Sequence, residues 1–328
     1  MKLSSKFKII LALIPILFLT SCKLKEDKKV LKLAHGLDTT HPVHKAMAFM
    51  ADRCKEISEG KLEIEIYPSG QLGSEQQCVE LLQIGSLAIT KVSSAVMESF
   101  TSEFKVLGLP YMFRSKEHAF KVLDGEIGNE LLLSTEPYWI RGLCFYDAGS
   151  RSFYTINTPI EHPDDLDGLK IRVMKSIVSM NLVKALGGSP TPISFGELYT
   201  ALQSGVVDGA ENNPPSFYTS RHYEVCKYYS INEHSMVPDV MIISSKIWDG
   251  LTEQEQQWLQ QAVDESVGKQ RQLWAESVEE SLKIVKEAGV EVIYPDKEPF
   301  AGKVEGIYDM FKDDEVLYDL IQRIKAVE

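Results

Sequence analysis

Arg172 stands near the end of Gly168-Leu169-Lys170-Ile171-Arg172-Val173, a stretch whose pattern predicts a short strand. A guanidinium is a planar fork of donors that matches a carboxylate bidentately, at a net contribution of roughly 1.5–3 kcal/mol for each charge-assisted bond. By spacing alone, a surface salt bridge is the commoner fate of an arginine at a strand end. Other chemically useful side chains also stand at element boundaries. Glu75 opens a helix, where a carboxylate is favoured electrostatically with or without a ligand. Lys91 follows the apolar Leu87-Ala88-Ile89, as either a solvated strand end or a charge at the edge where α/β sheets place ligands. His41 precedes Pro42 at the mouth of the first helix, His35 is a poorer candidate, and Asp239 ends the turn that begins at His234.

Patterns for catalysis are weak. His41 and His44 lie three apart at a helix start, a spacing that can hold a metal, but no third ligand stands at a matching offset. No GxSxG elbow frames a serine nucleophile, and Glu75 and Asp239 read better as hydroxyl acceptors than as a glycosidase pair. No metal and no cofactor is expected, and the chain reads as a binding protein rather than an enzyme. A structural or adhesive protein would call for repeats or an exposed apolar surface, and neither is visible in the sequence. Cys54, Cys78, Cys144 and Cys226 are widely spaced without a CxxC, and are read as free core thiols.

The elements that must hold these residues follow from periodicity. Val30–Leu33 is a strand, and a helix follows with Pro42 in its first turn and Val43, Met47, Met50, Cys54 and Ile57 on its buried stripe. Leu62, Ile64 and Ile66 alternate with charges in a second strand. Ser74 and Gln77 form a capping box for a helix to Ile84, and a strand spans Leu87–Val92. This β-α-β alternation predicts a largely parallel sheet with helices on its faces. A second set of elements begins near Gly142, with a helix over Ser179–Leu186. Thr252 and Glu255 cap a helix that can run without proline to Ala288, about 55 Å, too long for one lobe and predicted to cross two. Its stripe of Leu259, Ala262, Val263, Val267, Trp274, Val278, Leu282 and Val285 would face both.

The 328 residues are 44% hydrophobic and 25% charged, enough for a sizeable core, and the net charge of −12 with no basic stripe excludes a nucleic-acid partner. Lys2, Lys6 and Lys8 precede an apolar run from Ile9 to Leu19, too short to span a bilayer, so residues 1–21 read as a secretory signal. Leu19-Thr20-Ser21-Cys22 resembles the lipobox of bacterial lipoproteins, which implies cleavage before Cys22 and its acylation. Residues 22–29 would be a charged tether.

Three blocks carry a wider resemblance: Ser150-Arg151 through Pro159, Pro163, Gly168 and Arg172; Ser194-Phe195-Gly196-Glu197 through Gly209-Ala210-Glu211-Asn212; and Tyr67-Pro68-Ser69-Gly70-Gln71-Leu72-Gly73. Together they resemble the solute-binding subunit of tripartite ATP-independent periplasmic (TRAP) transporters, the DctP-type family. The resemblance implies a two-lobed α/β fold like that of periplasmic binding proteins, with a long helix crossing both lobes. Lobe I would hold 30–149 plus about 238–277, and lobe II 150–237 plus about 278–328. An organic acid would be captured outside the cytoplasm by lobe closure and handed to the membrane permease, the protein itself being a lipid-anchored monomer. The resemblance matches Arg172 with the family's carboxylate-clamping arginine, Arg151 with a second arginine nearby, Asn212 with an amide completing the carboxylate's hydrogen bonds, and Phe195 with an aromatic packed on the ligand.

Arg151, Arg172 and Lys91 with Glu75 and Asp239 suit a ligand bearing one carboxylate and several hydroxyls, as in glucuronate or galacturonate. Keto-sugar acids, sialic acid and C4-dicarboxylates are alternatives within the same transport role, although Ser93 stands where sialic-acid binders carry a glutamate. A uronate-processing lipoprotein enzyme is the alternative from another class.

Overall fold

The computed structural model describes residues 28–328, so the leader, Cys22 and most of the expected tether lie outside the described residues. Eleven strands are described: β1 (Lys29–Ala34), β2 (Leu62–Tyr67), β3 (Ile89–Ser93), β4 (Ile140–Tyr146), β5 (Arg151–Thr155), β6 (Lys170–Val173), β7 (Ser189–Pro192), β8 (Gly209–Asn212), β9 (Tyr228–Ser235), β10 (Asp239–Ser244) and β11 (Glu291–Ile293). Five helices matter for the site: α1 (Pro42–Ile57), α2 (Glu75–Gln83), α3 (Ile177–Ala185), α4 (Glu253–Glu287) and α5 (Glu315–Ala326).

The strands form two sheets, β2-β1-β3-β10-β4 and β11-β9-β5-β8-β6-β7, each the centre of one lobe. Both are mixed rather than largely parallel, and the connectivity gives the reason. In each sheet the strand that brings the chain in from the other lobe runs against its neighbours: β10 is antiparallel to β3 and β4, and β5 to β8 and β9. The other neighbours are parallel. Because β5 and β10 are reversed, their first residues, Arg151 and Asp239, reach the same edge as the last residues of β3, β6 and β8. Ligands of α/β sheets bind at that edge.

Local chemistry sets the helix starts. The Nδ1 of His41 accepts from the Val43 amide at 3.2 Å and caps α1, whose Val43, Ala46, Met47, Met50 and Cys54 are buried. Ser74 and Gln77 form the expected capping box on α2. Thr252 and Glu255 form another on α4, which runs 35 residues. The amino-terminal half of α4, through Trp274, packs on the first lobe's core, and Leu282 and Val285 pack on the second's. Three polar residues, Ser266, Gln270 and Ser281, share its buried face.

Some boundaries differ from expectation. The strand predicted over Leu87–Val92 is Ile89–Ser93, and the helix predicted from Ser179 starts at Ile177, after its cap Ser176. Lys29, expected in the tether, already belongs to β1. The carboxyl-terminal helix α5 departs from the expected grouping of 278–328 with lobe II. Arg114 donates to the Lys325 carbonyl at 2.7 Å, the Nε2 of His118 meets the Ile324 carbonyl at 3.0 Å, and Arg323 pairs with Glu130, all partners within 30–149. All four described cysteines are buried and free.

Candidate ligand-binding site

Between the lobes lies a cleft of about 670 Å³, within the range of small-molecule sites. All eight residues singled out from sequence line it: His41, Glu75 and Lys91 from the first lobe, Arg151, Arg172, Phe195 and Asn212 from the second, and Asp239 at the start of the returning strand. Their partners, however, divide them into three groups and leave His41 to a contact of its own.

Arg172 stands alone. It is 2% exposed, its Nε donates to the Ile193 carbonyl at 2.8 Å, and its guanidinium lies 5.8 Å from the Phe195 ring centroid. Neither Nη makes a hydrogen bond, and no carboxylate pairs with it, among the described residues. Burial lowers its pKa, as desolvation of a charge must. A buried guanidinium with an unpaired edge on a cleft is costly until an anion fills it.

Arg151, expected beside a ligand carboxylate, is instead largely committed to the protein. Its Nε and Nη2 bond the Glu211 carboxylate, Nη2 also reaches the Glu211 carbonyl at 2.8 Å, and Nη1 donates to Asn212 Oδ1 at 2.9 Å. Burial disfavours the Glu211 charge, but the Arg151 charge prevails and holds that carboxyl at about 2. The Asn212 Oδ1 also accepts from the Asn213 amide at 2.9 Å, which turns the Asn212 Nδ2 outward as a donor without a protein partner among the described residues. Arg151 and Glu211 thus form a neutral platform that fixes Asn212.

The third group faces them. Lys91, 2% exposed, donates to Glu75 Oε1 and Asp239 Oδ1, each at 3.0 Å, and the Ser93 amide donates to Glu75 Oε2 at 3.2 Å. Burial opposes the Lys91 charge, yet the two carboxylates outweigh it and raise its pKa. Burial raises the pKa of Asp239 against the opposing pull of Lys91.

His41 is nearly inaccessible. Because its Nδ1 accepts from the α1 backbone, the ring carries its proton on Nε2, which faces the Ser216 hydroxyl of the second lobe at 3.3 Å. Burial, with Lys91 next in effect, pushes its pKa well below the ordinary value, so the ring is a neutral donor. His35 pairs with His44 at 3.0 Å. Among the described residues no group of three or more His, Cys, Asp or Glu could hold a metal ion.

Sequence reading missed Glu211, Ser216 and Trp274. Glu211 lies inside a quoted block, but its partner is visible only once β5 and β8 are paired, with Ser152 opposite Asn212. Trp274 reads as part of an apolar stripe yet lines the cleft 5.9 Å from the His41 ring. Gly149, at φ 57°, leaves it room: a Cβ there would stand 2.9 Å from the indole Nε1.

Two mixed α/β lobes around a charged cleft, crossed by one long helix, define an extracytoplasmic solute-binding protein. Residues 33–314 match the model of the bacterial extracellular solute-binding proteins, family 7 (DctP), and the chain belongs to that family. It is a TRAP transporter solute-binding protein. The chain is similar to the TRAP periplasmic solute-binding protein of Xanthobacter autotrophicus Py2 solved with bound β-D-galacturonate: 42% identity, 91% of this chain and 100% of that one, TM-score 0.88. It is also similar to that of Anaerococcus prevotii solved with bound α/β-D-glucuronate, at 37% identity over 91% and 97% of the two chains, TM-score 0.89. A Salmonella typhimurium protein, YiiZ, is 38% identical over 301 residues, 91% of this chain and 92% of that one.

Proposed function

We propose that this protein captures a hexuronate, of the galacturonate or glucuronate type, and delivers it without chemical change to its TRAP permease. The observation that carries the reading is the unpaired edge of buried Arg172, facing a cleft whose far wall is rich in acceptors. The hexuronates bound by the Xanthobacter and Anaerococcus proteins support the same class. In this reading the carboxylate takes the fork of Arg172 and the amide of Asn212, and the sugar packs beside Phe195. The hydroxyls donate to Glu75 and Asp239 and accept from Lys91. Arg151 acts through Asn212, and His41 through its contact with Ser216, where the lobes meet. Ligand contacts from both lobes favour the closed shape over the open one by their differential affinity.

The same reading makes the protein a monomeric lipoprotein held at the membrane through Cys22. Titration calorimetry on the soluble form starting at Lys23 tests ligand capture, with hexuronates, keto-sugar acids, sialic acid and C4-dicarboxylates in parallel. Binding confined to dicarboxylates or sialic acid would overturn the hexuronate assignment, and turnover of a bound uronate would overturn delivery without chemistry. Loss of membrane retention in Cys22→Ser cells tests the anchor.

A further inference from the structure

The wall opposite Arg172 carries two carboxylates, Glu75 and Asp239, bridged by Lys91. Of the three N–H bonds of the Lys91 ammonium, one goes to Glu75 and one to Asp239, so three charges held within 3.0 Å contacts sum to −1. Asp239 is 8% exposed, and its Oδ2 takes no hydrogen bond from any described residue. An ionised carboxylate can only accept, so what meets this wall must mainly donate. A hydroxyl does so. A second carboxylate cannot, and it would bring its charge against a net negative cluster where low local dielectric leaves the repulsion poorly screened. At the other wall, by contrast, Arg151 is neutralised by Glu211, the exposed Lys175 is bonded to Gln76, and Arg172 is the one buried cation without a counter-ion among the described residues, so the buried part of the cleft holds one anionic place.

We propose that Glu75, Lys91 and Asp239 form a charge filter that restricts the site to sugar acids with a single carboxylate. Hexuronates and aldonates pass, because the end of the chain remote from the carboxylate carries hydroxyl or hemiacetal groups. Aldarates, with the same carbon chain and hydroxyls but carboxylates at both ends, are rejected. Asp239 is the specificity-determining member: its free Oδ2 is the atom that a second carboxylate would have to face. The filter rests on the sugar-acid reading of the site.

The test is calorimetry of galacturonate, galactonate and galactarate against the wild type, Asp239→Asn and Glu75→Gln. In Asp239→Asn the Lys91–Glu75 pair is neutral and an amide can donate where Oδ2 only accepted. The wild type should prefer galacturonate over galactarate by at least about 100-fold, and either variant should narrow that ratio at least about tenfold through tighter galactarate binding. Comparable wild-type affinities for galacturonate and galactarate would overturn the filter. So would an unchanged ratio in both variants while they still bind galacturonate. If one variant fails to fold, the other decides. No wild-type binding of galacturonate, glucuronate or galactonate would instead overturn the sugar-acid reading itself, an outcome distinct from a protein that binds galacturonate and galactarate alike.

Discussion

Arg172 and Arg151 are both buried arginines of one cleft, yet substitution should affect them in opposite ways. Arg172 carries a charge with no counter-ion among the described residues, so Arg172→Ala removes a desolvated charge. The unliganded melting temperature should hold or rise, while hexuronate affinity should fall on the order of 100-fold or more, since two charge-assisted bonds of roughly 1.5–3 kcal/mol are lost. Arg172→Lys should also be impaired, because an ammonium has no fork. Arg151→Ala leaves Glu211 buried without its cation, a loss of roughly 3–5 kcal/mol in comparable cases, and should depress the melting temperature sharply before any ligand is added. Thermal melts with and without galacturonate separate the two, and equal destabilisation by both would contradict the division of roles. Arg172 was legible in the sequence because its motif is contiguous. Glu211 was not, because a partner across two strands depends on their register. Counting three cations against two anions therefore overstated the positive charge of the site, which Glu211 balances.

Among elements, the junction between α3 and the first lobe is the one that should respond to pH. Glu98, just after the short helix Ser94–Met97, accepts from the Ser176 hydroxyl at 2.7 Å and from the Ile177 amide at 3.0 Å, a carboxylate from one lobe on the helix start of the other. Burial raises its pKa to about 7, against those hydrogen bonds. A carboxyl whose folded pKa is raised gives its stabilisation in full below the unfolded value, about 4.3, and loses it as pH climbs through 7. The wild type should therefore lose stability relative to Glu98→Gln between pH 5 and 8, by roughly 1–2 °C for each kcal/mol. The difference matters because buried neutral His35 and His222, both lowered to about 3, work the other way below pH 6.5 in both proteins. Parallel melting curves for wild type and Glu98→Gln across that range would sink the assignment. Caps and stripes made the helices readable from local sequence, as α1, α2 and α4 illustrate. The directions of β5 and β10 were not readable, because antiparallel entry into each sheet is a consequence of the whole path of the chain.

At the scale of the whole molecule, α4 ties the two lobes to the strand where the chain first crosses. Gln270 donates to the Asp147 carbonyl at 2.7 Å and accepts from the Asp147 amide at 2.9 Å, just after β4, and Ser266 bonds the Tyr146 hydroxyl at 2.6 Å. An apolar-stripe reading of α4 passes over these polar contacts, just as the expected grouping of 278–328 passes over the bonds of α5 with residues of 30–149. Gln270→Leu should leave two buried backbone groups without partners, at about 1–3 kcal/mol each, and lower the melting temperature by several degrees. Across the cleft, the lobes also touch directly: Lys175 donates to Gln76 Oε1 at 3.2 Å. That bond is exposed and involves none of the groups assigned to the ligand, so it exists only while the lobes are close. Its contribution to the closed state is about 0.5–1.5 kcal/mol, the range of an ordinary hydrogen bond. Gln76→Ala or Lys175→Ala should therefore speed hexuronate release about two- to tenfold with little change in association rate, and the double variant should add little to either single one. Stopped-flow kinetics would decide it: slower association with unchanged release would mean that Gln76 and Lys175 guide the ligand in, and that their bond does not help to hold the cleft shut.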